Sequence, residues 1–179
     1  MKQVVALVGP KRCGKDSVAE IMCRAQRYER FTIATQLKEG LRALYPELSM
    51  EDLESETKDS VHPALGCTPR ALMQAIGTDV TFQNIGASYW INSAIRRIRE
   101  SPVDRVVVTD VRFPHEEKAL REAFPDMRVI RILRPDAVDR EDRHASETAH
   151  LGVRHDAVIH NTGTLRDLVW KVTQALRGP

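Results

Sequence analysis

Short apolar runs alternate along the chain with longer stretches whose apolar residues recur at three- or four-residue intervals. The runs predict buried strands at residues 4–8, 31–34, 105–109, 129–133 and 157–160. The periodic stretches predict helices with one apolar face: Leu37, Leu41 and Leu44; Ile91, Ile95 and Ile98; and Leu165, Leu168, Val169, Val172 and Leu176. Those stripes are expected in the core. Strand and helix signals in alternation define an α/β fold, a sandwich of helices around a mainly parallel sheet. Residues 36–101 break the rhythm, because they carry helical and loop signals without a strand, including Thr68-Pro69 as a cap followed by proline at the first helical position. A single domain over 1–179 is expected, with a core at 1–35 and 102–179 and a helical insertion at 36–101.

The first apolar run opens into Gly9-Pro10-Lys11-Arg12-Cys13-Gly14-Lys15-Asp16-Ser17, and Val18, Ile21, Met22 and Ala25 follow at helical spacing. This is the strand, loop and helix order of a phosphate-binding loop. Two glycines let successive backbone N–H groups turn inward, the helix N-terminus adds partial positive charge, and Lys15 reaches the outer phosphates. A nucleoside triphosphate is the ligand such a loop takes. The position after the lysine, ordinarily a magnesium-ligating hydroxyl, is Asp16, with Ser17 one further on, and either side chain is able to serve a metal.

Charge narrows the classes. With 27 basic and 25 acidic residues the net charge is only +2, so no overall field argues for nucleic acid or a membrane surface as partner. Three cysteines, Cys13, Cys23 and Cys67, have no zinc spacing and fit a reducing compartment. The first apolar run is too short to be a signal peptide or a membrane span, so a cytoplasmic protein is expected.

Three further segments bear on the chemistry. The strand ending Val108-Thr109-Asp110 places a carboxylate where phosphate-loop enzymes orient magnesium, and Val111-Arg112-Phe113-Pro114-His115-Glu116 follows it. Arg112 then lies at the carboxyl edge of the sheet, where a guanidinium suits a second phosphate. In Thr68-Pro-Arg70-Ala-Leu72-Met-Gln74-Ala-Ile76-Gly77-Thr-Asp79, Arg70 and Gln74 share a helix face able to hold a phosphate and a base edge, or simply to face solvent. Residues 134–148 are densely charged, with Arg134 and Arg140 among them, the composition of a solvated loop or of a lid over phosphates.

Taken in order, Gly9 to Ser17, Arg70 to Asp79, Trp90-Ile91, Thr109 to Phe113, His144-Ala-Ser146-Glu147 and Asn161-Thr-Gly163-Thr-Leu165 resemble the bacteriophage deoxynucleoside monophosphate kinases over nearly the full length. The resemblance implies a P-loop kinase fold in three layers, a helical substrate-binding part, a lid, and commonly a homodimer. It implies ATP and Mg2+ as cosubstrate and cofactor, and transfer of the terminal phosphoryl group to a deoxynucleoside monophosphate. Gly9, Lys11, Arg12, Cys13, Gly14, Lys15, Asp16 and Ser17 would then hold the donor phosphates, with Asp16, Ser17 and Asp110 at the metal and Asn161 against the donor adenine. Lys38, Arg70, Gln74, Trp90, Asp110, Arg112 and Glu116 would face the acceptor. Lys15, Asp16, Arg112 and the lid arginines Arg134 and Arg140 would act on the transferring group. The Gly-Lys-Asp loop is also similar to that of animal-type phosphomevalonate kinases, which would change the acceptor. A nucleotide-binding switch is the third reading, although no Asn-Lys-x-Asp element of a GTPase follows any strand.

Overall fold

The computed structural model describes residues 2–135 and 149–177, which form two compact units. One contains residues 2–32 and 95–177 and is built on five parallel strands: β1 (Gln3–Val8), β2 (Glu29–Phe31), β3 (Arg105–Val108), β4 (Arg128–Leu133) and β5 (Ala157–His160). Their spatial order is β2-β3-β1-β4-β5. Val5 pairs with Val107 on one side and Arg128 on the other. Central strands of a parallel sheet lose water on both faces, and β1 accordingly is buried from Val4 through Val8 instead of alternating. Val5, Leu7, Val107, Ile130, Ile132 and Ile159 form a core with Val18, Ala19 and Met22 of α1 (Lys15–Gln26) and Leu168 and Val172 of the C-terminal helix, Leu165–Arg177.

The other unit, residues 33–94, carries no strand. It contains α2 (Thr35–Leu44), α3 (Met50–Glu54), a 3-10 turn (Glu56–Asp59), α4 (Pro69–Gln74), a π turn (Ala75–Val80), α5 (Thr81–Asn84) and the first residues of α6 (Tyr89–Glu100). Leu37, Leu41, Leu48 and Leu53 form its core, flanked by Leu72, Met73, Ile76 and Trp90. The Thr68 hydroxyl accepts from the Ala71 N–H and Pro69 stands at the first turn, as the cap signal predicts. α7 (Pro114–Ala123) follows β3, and the C-terminal helix is α8. No helix among the described residues is long and apolar enough to cross a membrane.

Three local expectations need correction. The second strand is Glu29–Phe31 and not 31–34, because its register against β3 closes where the Phe31 carbonyl accepts from the Thr109 N–H, and Ala34 already has helical angles as the cap of α2. Leu44 is 71% exposed, since α2 ends there. The C-terminal stripe is narrower than its apolar residues imply: Leu168 and Val172 are buried, while Leu165, in the first turn, and Val169 are exposed.

Candidate active site

The loop between β1 and α1 has a backbone that only particular residues allow. Gly9 and Gly14 have φ of 150° and 97°. A Cβ at Gly9 would lie 2.4 Å from the Ile132 carbonyl oxygen, and one at Gly14 would lie 2.2 Å from Asn161 Nδ2. Both positions therefore combine a left-handed backbone with no room for a side chain. Arg12 also has positive φ, at 62°, a cost that folded proteins tend to carry at functional loops. Gly14 caps α1 without a side chain, so the first-turn N–H groups receive no side-chain acceptor from the cap.

Lys15 Nζ donates to the carbonyls of Gly9 at 2.7 Å and Pro10 at 2.8 Å, which holds the ammonium over the loop. Cys13 is fully buried, and burial pushes its thiol pKa up against the pull of Lys15. A thiol so placed is a poor nucleophile. Lys11 is half-buried, and Asp16 and Ser17 stand exposed in the first turn of α1. Asn161, just after β5, donates its amide to the Cys13 carbonyl at 2.9 Å. It also lines a cleft of about 410 Å³ with Ser17, Arg134, Thr162, Thr164 and Leu165.

Arg30 on β2 gave no sequence signal, yet it donates through Nη2 to Asp16 and through Nε to the Thr109 hydroxyl at 3.2 Å. It thus links the phosphate loop to the end of the strand that carries Asp110. Asp110 is half-buried. Among the described residues no three His, Cys, Asp or Glu side chains converge as a metal cage. Asp16, Asp110 and Ser17 offer two carboxylates and a hydroxyl in this unit, hard oxygen donors of the kind that suit magnesium.

Glu116 does something other than reach outward. It is buried, and one oxygen, Oε2, accepts from the backbone N–H groups of Arg112 at 2.7 Å and Phe113 at 2.9 Å. That is the reciprocal half of a capping arrangement opening α7, with Pro114 in the first turn. Burial, reinforced by the nearby Asp110 charge, pushes its pKa up to about 7 despite the two hydrogen bonds and Arg112, which pull the other way. Glu116, expected to face the acceptor, is through this oxygen a carboxylate engaged by the turn that carries Arg112.

In the helical unit, Lys38 Nζ lies 3.0 Å from Glu54, and Arg70 is paired with Asp59 through Nε and Nη2. Gln74, one helical turn after Arg70, has a buried Nε2 with no hydrogen-bond partner. Trp90, expected at the substrate, donates its indole N–H to the Gly77 carbonyl at 3.0 Å and packs beside the unit's core. This contact serves a backbone oxygen within the π turn, a helix irregularity that recurs at functional sites. Arg134 is exposed. Arg140 and residues 144–147 lie outside the described residues.

Residues 66–172, more than half of the chain, match the family model described as deoxynucleotide monophosphate kinase. A protein of Acanthamoeba polyphaga mimivirus named for that activity is 27% identical over 92% of this chain and 91% of its own length. The deoxynucleotide monophosphate kinase of Enterobacteria phage T4 is 36% identical, over 60% of this chain and only 45% of its own length, so the chain spans less than half of that relative. Among solved structures, the dephospho-CoA kinase from Campylobacter jejuni superposes with a TM-score of 0.53 over 99% of this chain and 96% of its own, at 14% identity. At that identity the likeness concerns the fold alone.

Proposed function

Because the chain belongs to the deoxynucleotide monophosphate kinase family, we propose that it transfers the terminal phosphoryl group of ATP to a deoxynucleoside monophosphate, giving the diphosphate and ADP. The observation that carries the donor half is the cradle itself: two glycines with no space for a Cβ, an α1 terminus without a side-chain cap, and Lys15 held by loop carbonyls. Polyphosphate oxygens would take over the lysine from Gly9 and Pro10 and accept from the first-turn N–H groups. The cleft lined by Ser17, Arg134 and Asn161 to Leu165 is the proposed place of the adenosine. Asn161 then acts twice, at the cleft wall and under the loop.

Ser17, Asp16 and Asp110 would hold magnesium, which when bound with ATP neutralises charge on the phosphate oxygens. Asp16 would exchange its exposed pair with Arg30 for that role, a small cost because ion pairs in water are weak. Arg112 is assigned to the acceptor phosphate, its backbone fixed by Glu116. Within the helical unit, Arg70 and Lys38 are assigned to an acceptor phosphate and Gln74 to the base. The buried amide nitrogen of Gln74 supports this, because an unsatisfied buried donor asks for an acceptor. The attacking group is an anionic phosphate oxygen, so the reaction requires positioning and charge neutralisation and no general base.

A coupled ADP-release assay over the deoxynucleoside and ribonucleoside monophosphates, with phosphomevalonate alongside, tests the reading. ADP release is expected to depend on added deoxynucleoside monophosphate. Turnover with phosphomevalonate alone, or nucleotide binding without acceptor-dependent turnover, would overturn it.

A further inference from the structure

Lys38 and Arg70 are each only 15% exposed at the side chain, and cations so withdrawn from water are costly without a counter-charge beside them. In the helical unit a counter-charge for each comes from one short stretch of chain. Glu54, the last residue of α3, takes the Lys38 ammonium. Asp59, the last residue of the following 3-10 turn, takes the Arg70 guanidinium with both of its oxygens. A carboxylate so placed occupies the donor fork with which an arginine otherwise grips two oxygens of a phosphate.

The stretch is well fixed at its backbone. Leu53 is buried in the unit's core, Ser49 and Asp52 close a capping box, and Ser55 Oγ accepts from the Thr57 N–H at 3.2 Å. The acidic side chains themselves reach water, Glu54 at 55% and Asp59 at 37% exposure, so each is able to swing off its cation without unpacking the helices. Arg70 also shares its helix with Gln74, whose buried amide still lacks an acceptor.

We propose that Glu54 and Asp59 are resident counter-anions of the acceptor site, held by Lys38 and Arg70 until the phosphate of a deoxynucleoside monophosphate displaces them, and that they restrict the site to acceptors bearing a doubly charged phosphate. The inference rests on the reading of Lys38 and Arg70 as acceptor contacts. A singly charged group would replace two carboxylate charges with one and leave part of the paired cation charge uncompensated. A dianion restores both charges from a single group and brings three oxygens, and so competes with the two carboxylates.

The test is calorimetric binding of a deoxynucleoside monophosphate, and of its singly charged phosphate methyl ester, to the wild type, Asp59→Asn, Glu54→Gln and Arg70→Ala, together with melting temperatures. Asp59→Asn is expected to melt lower without ligand, to bind the monophosphate about three- to tenfold more tightly, and to bind the methyl ester that the wild type rejects. Glu54→Gln, which touches only the Lys38 pair, is expected to move the same way and carries the test if Asp59→Asn does not fold. Unchanged or weaker monophosphate binding in both acid variants, with Arg70→Ala losing binding, would overturn the inference and keep the acceptor reading. Undiminished binding by Arg70→Ala would overturn both.

Discussion

Glu116→Gln isolates the most perturbed acid beside the candidate site. The single oxygen that accepts from the Arg112 and Phe113 N–H groups has a counterpart in the glutamine carbonyl, so the substitution keeps both bonds and removes only the titration. The wild-type carboxyl titrates near 7 when folded, against an ordinary 4.5. The folded state thus binds more protons than the unfolded chain between those values. Stability from this group is fully present below pH 4.5, falls as the pH rises towards 7, and stays at its reduced level above. Worked from the two pKa values, the loss between pH 5 and pH 8 is on the order of 2 to 3 kcal/mol. Glu116→Gln should escape it, so urea unfolding of the two proteins at both pH values should show the variant gaining by about that amount at pH 8 relative to pH 5. A gap that changes by less than about 0.5 kcal/mol would mean that Glu116 ionises like an exposed acid and that burial does not govern it.

Lys15→Ala should fold normally and lose about a thousandfold or more in turnover, since an ammonium beside the transferring group acts mainly on the charge of the transition state; near-native turnover would remove the phosphate-loop assignment. Asn161→Ala should weaken ATP about five- to tenfold in equilibrium binding, the worth of one hydrogen bond that fixes the loop, and leave acceptor affinity alone. Asp16→Ala should raise the magnesium concentration needed for half-maximal activity more than Ser17→Ala does, and Arg30→Ala should lower it by releasing Asp16. The reverse ranking of the first two in a magnesium titration would give the metal to the hydroxyl.

What the sequence revealed follows from what is local. The β1 strand, its loop and α1 are contiguous, and their order is imposed by phosphate chemistry, so spacing alone located them. The Thr68-Pro69 cap was legible for the same reason. Glu116 carried a signal as well, since proline at the first helical position with glutamate two residues later is a helix-opening signature, and that signature accounts for its inward role. Arg30, Glu54 and Asp59 had no such mark. Their partners are brought to them by tertiary packing, and a charged residue on a short strand or turn is indistinguishable in sequence from a solvated one. The exposed Leu165 and Val169 show the converse, because a periodic stripe records which face is apolar and not how much of it a neighbouring layer covers.

The amide that Asn161 gives to Cys13 spans 148 positions of sequence. During synthesis the glycine loop leaves the ribosome well before β5, and the residue that braces it follows that strand. Long-range contacts of this kind form late and slow folding. A nascent chain halted before residue 157 would contain every loop residue and still lack the brace, so firm ATP capture is expected to be acquired only as the sheet is completed.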